Sequence, residues 1–151
     1  MASNADILGI AQPQVERDEG CRLIAYPDPL SGADPWTIGY GATGPSIKQG
    51  TVWTQEQADT DLANRLNVLC GNLDNRIGWW RNLDAIRAAV LVNMSYNLGI
   101  GGLMGFPHAL ACMQASDWQG AHDQMLSSTW AHQVPQRAQR LAKQMLTGVA
   151  Q

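Results

Sequence analysis

Long apolar runs are missing from this sequence. The most obvious, Ala88-Ala89-Val90-Leu91-Val92, ends at Asn93, far short of the roughly 18 apolar residues that mark a membrane span. Stable membrane insertion is therefore not expected. A basic excess is missing too. The net charge is −3, and the main basic cluster, Arg137, Arg140 and Lys143, has the spacing of one side of a helix. A nucleic-acid binder should carry a basic patch or stripe, so no nucleic-acid partner is expected. Cysteine is scarce and odd in number: Cys21, Cys70 and Cys112, with no CxxC pair. That excludes a disulfide framework and points to free thiols in a reducing compartment. Cys70 falls on an apolar stripe and reads as a small buried residue. His108, His122 and His132 form no ligand cluster, because 122 and 132 fall on different predicted helices. There is no P-loop, HExxH or GxSxG motif. No metal or other cofactor is expected. The opening MASNADILGIAQ has neither the basic region nor the apolar core of a secretory signal, which predicts a chain made and held in a cytoplasm.

What is present fits one domain, residues 1–151, with 45% hydrophobic and 15% charged residues, an ordinary globular mix. Residues 1 to about 20 are helical in character, with Pro13 expected to start a new turn rather than sit mid-helix. Residues 21 to about 50 are dense in glycine and proline, with Tyr26, Trp36, Ile38 and Tyr40 between, and read as short strands and turns. From Thr54 onward the pattern is helical. Thr54 and Gln57 form a capping box. Ala58, Leu62, Leu66, Leu69, Leu73 and Ile77 then recur at steps of three and four, predicting a helix over about 55–73. Asp84 caps a second helix to about Asn97, apolar nearly all round and so central in a bundle. Gly99, Gly101, Gly102 and Gly105 should break the chain after it. Shorter helices follow at about 107–114, 117–126 and 136–146, the last opened by Pro135 and closed by Gly148. The expected class is α+β, mostly α. A small β-containing N-terminal lobe (about 15–53) and a larger helical C-terminal lobe (about 74–148) would be bridged by the long helix, with a ligand cleft between the lobes.

The stretch from Glu16 to Asp28, continuing to Trp36-Thr37-Ile38-Gly39-Tyr40-Gly41, carries the chemistry. Glu19 sits where a helix ends, and Gly20 is free to turn the chain. Asp28 follows at a proline-flanked turn. Two carboxylates flanking a groove suit glycoside hydrolysis: one donates a proton to the leaving oxygen, the other stays ionised to activate water or stabilise a cation. A helix C-terminus, with its negative dipole end, favours a held proton, and burial of Glu19 would add to this. A glutamate and an aspartate at this spacing also arise by chance, so the pair alone does not decide.

The string DEGCRLIAYPD…WTIGYG resembles the catalytic segment of the phage-type lysozymes, glycoside hydrolase family 24, in its Glu-Gly-x-Arg-Leu-x-x-Tyr-x-Asp and Thr-Ile-Gly-x-Gly elements. Asn82–Arg87, Met94–Gly99, Gly105-Phe106 and Trp130–Arg140 are similar to the T-even branch of that family. The resemblance implies an endolysin that hydrolyses the β-1,4 bond between N-acetylmuramic acid and N-acetylglucosamine. It implies Glu19 as general acid, Asp28 as second carboxylate, and Thr37 as the residue that holds the attacking water with it, the reaction proceeding by inversion. It places Tyr96 and Asn97 on a sugar-contacting wall, Gln124 at another sugar position, and Arg137 where the family's arginine pairs with the catalytic glutamate. The implied partner is the peptidoglycan glycan strand, met by a monomer that leaves a host bacterial cytoplasm to reach the wall. Three departures stand out. The turn from Asp28 to Thr37 is longer than in the T-even pattern and contains Asp34, a rival for the second carboxylate. Ala42 stands where the family usually has His. The chain is acidic where such enzymes are often basic, so long-range attraction to an anionic wall should be weak. A virion-associated or toxin-borne lysozyme module, and a wall-binding protein of the same fold with little turnover, remain alternatives.

Overall fold

The computed structural model describes residues 1–151. It is mostly helical, with one small antiparallel sheet near the N-terminus. The elements are α1 (Asn4–Glu19), β1 (Arg22–Tyr26), β2 (Thr37–Gly39), α2 (Gln55–Arg76), a single 3-10 turn (Trp80–Asn82), α3 (Ala85–Met104), α4 (Pro107–Gln114), α5 (Trp118–Leu126), α6 (Thr129–Gln133) and α7 (Pro135–Thr147). No single helix is long and apolar enough to cross a membrane. The chain divides into two compact units, Gln12–Asn67 and the remainder (Met1–Ala11 with Val68–Gln151), and the divisions fall inside α1 and α2.

In the unit Gln12–Asn67, β1 and β2 pair through Arg22 with Gly39 and Tyr26 with Thr37. The longer β1 segment bulges between these pairs. Its bulged residues bond instead to a third segment: Ala25 N–H donates to Thr51 O and Trp53 N–H to Leu23 O, both at 2.9 Å. Ala25, Ile38, Ala42 and Ile47 form the core beneath, with Trp36 and Trp53 packed on it. Gly39 is required here twice over. Its φ is +64°, and an added Cβ would lie 3.0 Å from the Trp53 ring. The capping box opens α2 as expected: Gln57 N–H donates to Thr54 Oγ1 and Thr54 N–H to Gln57 Oε1.

The other unit is built on α3. Ala88 to Ser95 are all buried, as a helix apolar on every side should be. Asp84 caps it, accepting from Arg87 N–H. Arg87 donates in turn to the carbonyls of Met145 (2.7 Å) and Leu146 (3.1 Å), satisfying the open end of α7. Gly148, left-handed at φ 69°, ends that helix.

Three expectations need correction. Pro13 lies inside α1 rather than at its start. Pro13 and Gly9, four residues before it, are both exposed, so the missing bond falls on the solvated face, where water can serve the Gly9 carbonyl. Burial of Ile7, Ala11 and Val15 outweighs one lost hydrogen bond. Second, Gly101 and Gly102 do not break the chain: Gly99 interrupts the helix as expected (φ 75°, ψ 162°), but helix resumes to Met104, where Gly105 caps it. Third, α6 is a helix the apolar periodicity does not reveal. It spans five residues, too few for a repeat. Ser128 caps it, and burial of Trp130 anchors it.

Candidate active site

Glu19, Asp28 and Thr37 all lie in the unit Gln12–Asn67. Glu19 is the last residue of α1, and the chain turns immediately at Gly20 (φ 67°), whose N–H still bonds to Glu16 O at 3.0 Å. The carboxyl therefore stands at the negative end of a helix dipole. Glu19 is exposed, so burial adds nothing to the effect of the helix end. It sits past the last buried position of α1, in a glycine turn too open to cover it.

Asp28 lies two residues beyond Tyr26, the partner of Thr37 across the sheet. Its Oδ2 accepts from the N–H groups of Leu30 (3.2 Å) and Ser31 (3.0 Å). Its own N–H and C=O bond to Ala33 O and Gly32 N–H. Asp28 thus closes the loop that follows it, an Asx turn with a purpose. Its Oδ1 and the Thr37 hydroxyl make no hydrogen bond within the protein. The loop that Asp28 closes leads back to Thr37, which pairs with Tyr26 across the sheet. Asp34 sits in the exposed far part of the loop, where its carbonyl accepts from the Ser31 hydroxyl.

A second feature lies in the other unit. A groove of about 470 Å³ is lined by Phe106, His108, Gln124, Ser128, Trp130 and Gln133, among others. Phe106 and Trp130 meet edge to face with ring centroids 5.9 Å apart. Asn97 fixes the indole, its Oδ1 accepting from Trp130 Nε1–H at 2.7 Å. Of the residues expected to contact sugar, Gln124 lines this groove and Asn97 supports it from behind. Tyr96 and Arg137 are outside its lining. Arg137 is buried, with its Nε donating to Asn93 Oδ1 at 2.8 Å.

Residues 16–146 match the family described as phage lysozyme. The chain belongs to that family. It is 32% identical over 117 residues to an endolysin of Lactococcus phage c2, an alignment covering 74% of this chain and 50% of that one. It is 33% identical over 69 residues to "Probable T4-type lysozyme 1" of Dictyostelium discoideum, covering 46% of this chain and 41% of the relative. It is 35% identical over 69 residues to the pre-baseplate central spike protein Gp5 of Enterobacteria phage T4, covering 46% and 12%. The chain thus spans half or less of the length of these relatives. Within this phage lysozyme family chain, the aromatic groove residues Phe106 and Trp130 were not singled out by sequence spacing. A polar network around Tyr40 was missed as well. Tyr40 Oη donates to Asp59 Oδ1 (2.8 Å), and Gln55 Nε2 donates to both atoms (2.9 and 2.8 Å). Burial, then the bond to Asp59, pushes the Tyr40 phenol well above its ordinary range, so it stays a protonated donor. A tyrosine within a strand motif gives no signal of this. The four-residue step from Gln55 to Asp59 was the only hint.

Proposed function

We propose that this chain hydrolyses the β-1,4 bond between N-acetylmuramic acid and N-acetylglucosamine in bacterial peptidoglycan, acting on the wall after release from the cell that makes it. The family match across Glu19, Asp28 and Thr37 carries this reading. Glu19 protonates the leaving oxygen. Asp28, oriented by two backbone N–H groups through Oδ2, uses its remaining oxygen with the Thr37 hydroxyl to position and activate a water, giving inversion. Tyr96, Asn97, Gln124 and Arg137 serve the glycan, with the Gln124 groove as the sugar-holding surface. The protein acts as a monomer on glycan strands, and the two units correspond to the two lobes of a lysozyme-like fold. The test is Glu19→Gln, an isosteric change that removes the acid. Turbidity loss of outer-membrane-permeabilised cells should vanish while the circular dichroism spectrum stays parental. Activity within about tenfold of the parent would remove Glu19 from this role, since acid–base groups contribute about 10²–10⁴-fold. The first product anomer, followed by NMR, should be α.

The similarity to a central spike protein supports a second reading, a lysozyme module carried in a virion. The native gene's neighbours, or any fused segment, separate the two.

A further inference from the structure

We propose that Tyr40 is a positioning residue: with Gln55 and Asp59 it holds the last turns of α1, and so the placement of Glu19, against the first turns of α2. The inference rests on the assignment of Glu19 as the acid.

The contacts reach both sides of Glu19 in sequence. On the N-terminal side, Gln12 Nε2 donates to Glu16 Oε1 (3.3 Å) and to the Asp59 carbonyl (3.4 Å). Glu16 O in turn receives Gly20 N–H, the bond that closes the helix end. On the C-terminal side, Gln55 Nε2 reaches Cys21 Sγ at 3.8 Å. The centre of the arrangement is the Tyr40 hydroxyl, bonded to both Gln55 and Asp59. Tyr40 is buried and follows β2 directly, so its ring is fixed by the same strand that carries Thr37. Arg65 adds a donor to the Tyr40 carbonyl at 3.4 Å. Hydroxyl and carboxylate therefore tie the strand that holds Thr37 to the start of α2, and the Asp59 carbonyl and the Gln55 amide, whose two hydrogens are shared among three acceptors, carry the tie on to Gln12 and Cys21 on either side of Glu19. A misplacement near 1 Å in a reacting group can cost about 10²-fold in rate. A fastener that keeps three segments in register answers that need without touching substrate.

The test uses Tyr40→Phe, which keeps the ring in its site, and Gln55→Ala, at an exposed position of α2. Turnover of purified peptidoglycan is measured together with amide hydrogen exchange at Gly20 and Cys21. In either variant kcat should fall about ten- to hundredfold, with KM nearly unchanged because no sugar contact is lost. Exchange at Gly20 and Cys21 should quicken. The double variant should be no slower than the slower single, since both changes release one unit. Parental kcat in both variants overturns the proposal, whether or not exchange changes. A fall in kcat with parental exchange overturns it too, because the hydroxyl would then act by another route. Should the parent itself fail to cut peptidoglycan, the proposed function falls instead, and exchange alone decides: parental exchange overturns the fastening, faster exchange supports it.

Discussion

Replacing Gly39 with alanine isolates two separate demands on one residue. Gly39 has φ +64°, where an L side chain is strained by about 1–2 kcal/mol. The new Cβ would also meet Trp53 Cζ3 at 3.0 Å and Cε3 at 3.2 Å, with Ala58 Cβ at 3.5 Å. Trp53 packs on the small core of its unit and its N–H is bonded to Leu23 O, so the ring cannot retreat freely. Overpacking of this kind costs about 1–3 kcal/mol. The expected loss is about 2–5 kcal/mol, a fall in Tm of about 5–15 °C for a chain of this size. Gly20→Ala is the control. Its φ is +67°, yet nothing lies within 4 Å of its would-be Cβ, so only the conformational part remains, about 1–2 kcal/mol. Urea denaturation of both variants gives the difference. Adding Trp53→Leu to Gly39→Ala should show a favourable coupling of about 0.5–3 kcal/mol, because the ring that clashes is gone. Equal losses for Gly39→Ala and Gly20→Ala, or strict additivity with Trp53→Leu, would refute the steric argument.

Asp28→Asn should reduce wall lysis far more than Asp34→Asn; the opposite ranking would mean the longer turn has moved the second carboxylate. Asn97→Ala should destabilise by about 1–3 kcal/mol, since the Trp130 indole N–H loses its acceptor, and a chemical-denaturation midpoint matching the parent would count against it. Asp74 is bonded by Arg81 and then by Trp80, which hold its carboxyl below the ordinary range. A depressed carboxyl stabilises the fold above its unfolded pKa of about 4 and loses that contribution as pH falls through the folded value. The stability gap between the parent and Asp74→Asn should therefore shrink below about pH 4, and a constant gap would show that the carboxylate's charge plays no part.

Sequence reasoning located the helices where a local signal came with a longer apolar repeat or a proline–glycine bracket. The Thr54–Gln57 box, the Asp84 cap and the Pro135–Gly148 bracket each act within four residues of the chain, so their geometry follows from neighbours alone. It failed at Pro13 because the outcome depended on which face of α1 met water, a tertiary fact. It failed at α6 because one buried tryptophan, not a repeat, secures that helix. At the candidate site, the turn at Asp28 could be anticipated from its flanking prolines. The way Asp28 bonds the loop that follows it could not, because Leu30 and Ser31 carry no signal of it. The Tyr40 network joins residues up to 47 positions apart, Gln12 and Asp59, and each member alone looks like an ordinary polar side chain.

Gly99 has a consequence for handedness. Its backbone (φ 75°, ψ 162°) lies in a region essentially reserved for glycine, yet an added Cβ there would meet nothing within 4 Å. The restriction is one of chirality rather than room. A mirror-image residue would carry its Cβ on the other side of the chain, where positive φ is its natural habit. In a semisynthetic protein, D-alanine at position 99 should preserve the bend of α3, while L-alanine should disturb it, although the two differ by no atom.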